Sequence, residues 1–246
     1  MNRMRTTVCC ATLFAMASAV SIAADDIGPS PIPISWELTF KATPPMRIVV
    51  DTGKGPTTYW YILYTVTNNT NQDVDFHPEI VRVNEIETDL TAEEAESNPD
   101  KASRITTDDA IVGVHPKVFE AIKNRYAKTH PFLTSPVEAI GRLLQGRDNA
   151  RTSVAIFRDP DPRVSKFTVY VGGLSGETKT VPNPKYDPKR AAEKKAGDKN
   201  GNETPDDNPE FFILRKTLAM PYALPGDLKT RRSATPKPGP ITWVMR

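Results

Sequence analysis

Apolar and polar residues alternate with period two along much of this chain. Trp36, Leu38 and Phe40 face one way while Glu37, Thr39 and Lys41 face the other, and Met46, Ile48 and Val50 resume the pattern beyond Pro44 and Pro45. Such alternation predicts half-buried β-strands. Tyr59 to Thr67 is aromatic and β-branched on both faces, which predicts a central strand covered on both sides. The run from Asn68 to Asp73 is made of turn-forming side chains. The next strand, through Val74, Phe76 and Ile80 to Val83, carries Pro78, whose missing N–H marks an edge, a bulge or a crossing between sheets. Strand patterning returns at Thr152 to Phe157, Phe167 to Val171, Phe211 to Leu218 and Ile241 to Met245. Trp60 and Trp36 are the expected core anchors, and Trp243 is expected to dock against the body.

The middle of the chain changes period. Pro116 opens a helical stripe of Val118, Phe119, Ile122 and Tyr126. Ser135-Pro136-Val137-Glu138 sets Ser at N-cap, Pro at N1 and Glu at N3 ahead of Ile140, Leu143, Leu144 and a terminating Gly146. These signals predict a two-helix insertion over 116–146. Thr91 and Glu94 suggest a further capped turn. Residues 182–209 combine prolines and many charges with almost no apolar side chains, which predicts a flexible charged loop. The sum is a single mainly-β domain over 24–246, a sandwich of about eight short strands with Greek-key-type connections.

One stretch invites a family comparison. The hydrophobic strand ending in Thr67-Asn68-Asn69-Thr70, its polar turn and the following Val74-Asp75-Phe76 resemble the corner between adjacent strands in the immunoglobulin-like domains of bacterial surface and secreted proteins. The segments Phe157 to Arg163 and Gly172 to Gly176 are likewise similar to segments of secreted bacterial proteins. The resemblance implies an immunoglobulin-like β-sandwich and carries no site residues, since the chain lacks the cysteine pair of that fold and adds helices.

Residues 1–23 change the composition. Arg3 and Arg5, the apolar run from Val8 to Val20, and Ser21-Ile22-Ala23 have the form of a signal peptide cleaved near Ala23, and the apolar run is short for a membrane span. The expected location is secreted or periplasmic. The whole chain has 32 Lys and Arg against 30 Asp and Glu, so removing two arginines leaves it neutral. Neutrality excludes a globally basic nucleic-acid binder. Cys9 and Cys10 leave with the leader, and with them any disulfide, Cys-ligated metal or thiol nucleophile.

Several constellations merit weighing as chemistry. His77, His115 and His130 each precede a proline and, if they converge, offer three nitrogens to zinc with Glu79 as a base; separate turn histidines are the simpler expectation. Asp198 to Glu203 has calcium-like oxygen spacing, with Asp206, Asp207 and Glu210 nearby, but glycine sits at the fourth position and Pro209 at the twelfth, against the loop pattern. Ser175 in Gly172-Gly173-Leu174-Ser175-Gly176 lacks a spacer for a nucleophile elbow. Glu79 and Glu85 form a nominal acid–base pair. Lys185, Lys189, Arg190, Lys194, Lys195 and Lys199, and again Lys229, Arg231, Arg232 and Lys237, form basic runs suited to a polyanion or to solvent. None defines a catalytic, cofactor or metal site. The expected function is an exported, non-catalytic binding or structural module for an envelope protein or polysaccharide; the alternative is a secreted hydrolase or carbohydrate-binding domain, with or without metal.

Overall fold

The computed structural model describes residues 35–87, 103–109 (backbone only), 115–189 and 208–246. The leader 1–23, the Thr91 and Glu94 turn and the Asp198 to Glu203 motif lie outside the described residues. Within these, the chain is mainly β, and every strand ladder is antiparallel.

The smaller sheet is organised by its longest strand, β3 (Pro56–Thr67). Strand β8 (Arg151–Arg158) pairs along residues 59–66 of β3. The opposite edge of β3 is shared end to end by β1 (Thr39–Ala42) and β2 (Met46–Asp51). Pro44 and Pro45, which have no N–H to donate to a ladder, fall in the gap between those two. The period-two pattern of β3 then has two destinations. Trp60, Ile62, Tyr64 and Val66 enter one apolar cluster; Tyr59, Tyr61 and Leu63 enter another.

The larger sheet has the order β10 (Thr178–Pro182), β11 (Phe211–Ala223), β9 (Val164–Gly172), β5 (Glu79–Glu87), β6 (Ser103–Asp109). Two short strands, β12 (Lys237–Pro238) and β13 (Thr242–Met245), also pair with β11. A separate two-stranded sheet pairs β4 (Val74–Phe76) with β7 (Gly141–Leu143). Pro78 thus marks a crossing: the chain leaves β4 and joins the larger sheet as β5. Phe167, Val169, Val171, Leu218, Met220 and Tyr222 of that sheet share a buried cluster with Trp60 and Ile62. Trp60 meets Phe167 edge-on at 6.0 Å, and Phe167 stacks on Tyr222 at 5.2 Å.

The second face of the smaller sheet is covered by α1 (Pro116–Arg125), which lays the fully buried Val118 and Ile122 against it. Tyr61 and Tyr126 bring their hydroxyls to 3.1 Å. Burial, reinforced by that hydrogen bond, pushes the Tyr126 phenol up to about 12.

The structure corrects two expectations. There are thirteen strand segments among the described residues, not about eight. The second helix of the 116–146 insertion is one capped turn. Its capping box forms, with Ser135 N–H donating to Glu138 Oε2 at 2.7 Å and Glu138 N–H to Ser135 Oγ at 3.3 Å, but Gly141 adopts φ +112° and the chain continues as β7. Val137, Ile140 and Leu144 stay exposed, so no apolar face offsets the cost of extending the turn. The described ends of the 182–209 segment are tied to each other, and residues 190–207 lie outside the described residues. Asn183 Nδ2 donates to the Pro209 carbonyl at 2.7 Å, Asp187 N–H to Asn208 Oδ1 at 2.9 Å and Asn208 Nδ2 to the Asp187 carbonyl at 2.7 Å.

Candidate functional site

Among the described residues, those singled out in the sequence do not assemble. His115 tilts against the Tyr59 ring at one end of α1 and His130 sits edge-on to Tyr126 beyond the other, while His77 follows β4 and holds its carbonyl against Gly173. No group of three or more His, Cys, Asp or Glu suited to a metal occurs among the described residues. Glu79 and Glu85 lie on one strand six residues apart, about 20 Å at strand rise, too far for an acid and base to share a bond. Ser175 is a turn residue whose Oγ accepts the Glu177 N–H at 3.1 Å. The C-terminal basic run is partly consumed by the fold. Arg231 is buried and donates to the carbonyls of Gly226 and Arg163 at 3.0 and 3.2 Å, and Arg232 pairs with Asp159 at 2.9 Å.

A groove of about 440 Å³ forms elsewhere, between the segment leading into β1 and the turn after β3, lined by Ser35, Trp36, Glu37, Asn69, Thr70, Asn71 and Gln72. One wall depends on glycine. Residues 36–38 leave the smaller sheet and join the turn after β9: Leu38 N–H donates to the Leu174 carbonyl at 2.8 Å and Gly176 N–H to the Trp36 carbonyl at 3.1 Å. A Cβ at Gly176 would run into Ser35 Oγ and the Trp36 indole, so this position lets the ring lie against backbone.

Behind that wall sits a buried ion cluster. Lys216 of β11 is 2% exposed, and its Nζ lies 3.0 Å from Glu37 Oε2 and 3.1 Å from Glu177 Oε2. It also stands over the Trp243 ring at 5.2 Å. Burial alone lowers a lysine pKa, but hydrogen bonds and charge from Glu37 and Glu177 outweigh it, and the ammonium is held above its ordinary value. Two carboxylates around one ammonium leave one net negative charge beside the groove. Glu37 is the member nearest solvent, with about a quarter of its side chain exposed.

The opposite wall is fixed by one asparagine. Asn68 is fully buried. Its Nδ2 donates to the carbonyls of Gln72 and Leu143 at 2.8 and 2.9 Å, and its Oδ1 accepts from Thr70 N–H at 3.0 Å and lies 2.7 Å from the Thr70 hydroxyl. Both ends of the amide are therefore saturated, and the backbone from 69 to 72 is tied to β7. Asn69 is further anchored by a 2.8 Å bond from its Nδ2 to Thr39 Oγ1. Asn71 and Gln72 project exposed.

Sequence reasoning placed Asn68 to Asp73 as a turn and Glu37 as an outward strand residue, and missed that they face each other. The available signal was the length of the amide and hydroxyl run, which exceeds what a tight turn needs. Comparison with protein-family models, with curated proteins and with solved structures finds no match for this chain.

Proposed function

We propose that this chain is an exported, non-catalytic binding module of the cell envelope, built as an immunoglobulin-like β-sandwich, that recognises its partner through the Trp36–Gln72 groove. The leader-like residues 1–23 support export to the periplasm or beyond. Two antiparallel sheets sharing one apolar cluster support the sandwich. The observation that carries the binding role is the groove's construction. One wall is locked by the saturated Asn68 amide and the other is backed by the Lys216 ion cluster, so the backbone that carries its polar groups, and Glu37 itself, are set in place before any ligand arrives, which lowers the ordering cost of association. Glu37, held by Lys216, suits a fixed hydrogen-bonding role.

The test is affinity purification of the tagged chain from its own host's envelope after mild crosslinking, run beside an Asn71→Ala/Gln72→Ala variant. A specific protein or polysaccharide retained by the native chain and lost from the variant is the expected result. Equal retention by both would place recognition elsewhere and overturn the groove assignment.

A further inference from the structure

Resting on that reading, we infer that the ligand of the groove is a neutral saccharide. The reasoning starts from the lining. The amides of Asn71 and Gln72 each present a donor and an acceptor, and the hydroxyls of Ser35 and Thr70 serve as either. Groups of mixed donor and acceptor character match a ligand whose own groups are mixed in the same way, and sugar hydroxyls are such groups.

The indole of Trp36 supplies the complementary feature. The ring lines the groove with its Nε1 edge steadied beside Gly176, and the apolar surface it presents can meet the C–H groups of a pyranose while its neighbours bond the sugar hydroxyls. The volume of about 440 Å³ lies within the range of about 300–1,000 Å³ found for small-ligand sites.

Charge then narrows the class. With Glu37 and Glu177 sharing Lys216, the groove carries one negative charge behind its wall and no cation among its lining residues. A uronic or sulfated sugar would be repelled in a partly desolvated site, whereas a neutral or N-acetylated sugar is not, and Glu37 can accept one of its hydroxyls. The basic runs that a polyanion would need lie elsewhere on the chain.

The experiment is a printed array of neutral, N-acetylated, uronic-acid and sulfated oligosaccharides probed with the purified full chain, followed by calorimetric titration of the tightest neutral sugar. Asn71→Ala and Gln72→Ala, both on exposed side chains, should each weaken binding by about tenfold, the loss expected for one hydrogen bond to a fixed partner, without moving the thermal melt. Trp36→Ala should abolish binding; because Trp36 also packs against the core, Trp36→Phe serves as the control and should retain affinity within a few-fold. Binding confined to acidic sugars, or no neutral sugar bound above the Asn71→Ala/Gln72→Ala background, overturns the saccharide assignment. If envelope capture still depends on Asn71 and Gln72 in that case, the groove reading stands and only the ligand class is wrong; if capture is also indifferent to them, both fall.

Discussion

At the scale of single residues, Lys216 is a buried ammonium held between two carboxylates. Breaking a buried ion pair by removing one partner typically costs about 3–5 kcal/mol, so Lys216→Met should lower stability to urea by that order, and adding Glu177→Gln should recover part of the loss. Its pKa is raised in the fold. The stabilisation it confers is therefore fully present below the ordinary lysine value of about 10.4 and is lost as pH climbs through the higher folded value. Tyr64, Tyr126 and Tyr222, each raised by burial, push in the same direction. The difference in melting temperature between the native chain and Lys216→Met should accordingly stay constant from neutrality to about pH 10 and shrink above it; a difference that instead shrinks on acidification alone would contradict the assignment. Trp60, 2% exposed with its Nε1 donating to Asp159 at 2.8 Å, should cost about 3–5 kcal/mol on truncation to Ala. Its burial was legible in the sequence because it sits mid-run in an aromatic strand. The Lys216 cluster was not, because nothing in local spacing reveals that a lysine in a strand will meet two glutamates from distant segments.

At the scale of elements, the turn after β3 and α1 respond to different forces. Asn68→Ala removes four polar contacts from a fully buried site. Taking its donor from the buried Leu143 carbonyl costs about 1–3 kcal/mol, and amide hydrogen exchange should rise at residues 69–72 and 143–146 while β9 and β11 keep their protection. Unchanged exchange at 69–72 would mean that the loop is held by something other than Asn68. Ile122→Ala, on the covered face of α1, should cost about 2–5 kcal/mol through the cavity it leaves. The sequence disclosed α1 because its apolar stripe and its Pro start agree. It misled over 135–146, where every local signal for a helix is present, since capping chemistry opens a helix but packing decides whether one continues. β10, β6 and β7 escaped notice for the converse reason: they are short and polar, and exist because a neighbouring backbone offers a ladder.

At the scale of the whole molecule, the legible part of the fold is what binary patterning controls: strands buried on two faces, a proline where the chain changes sheets, a terminal Trp against the core. What pairs with what was not legible, because register depends on contacts between distant segments. One such contact can be tested directly. β10 and β11 pair over Thr178–Pro182 and Phe211–Arg215 and are joined at their ends by the Asn183, Asp187 and Asn208 bonds. A chain severed by an engineered protease site between 190 and 207 should therefore stay associated in gel filtration, with the fragments parting only on denaturation. The segment from Trp36 to Leu38 carries a further implication. It is near the start of the chain yet bonds to Leu174 and Gly176, and Glu37 ends on Lys216, so the groove exists only once β11 has taken its place. Closing so long a loop is entropically late. On the proposed binding role, half-assembled chains hold no recognition surface; competence to bind would then report that folding is finished, and immobilised ligand should sort completed molecules from unfinished ones.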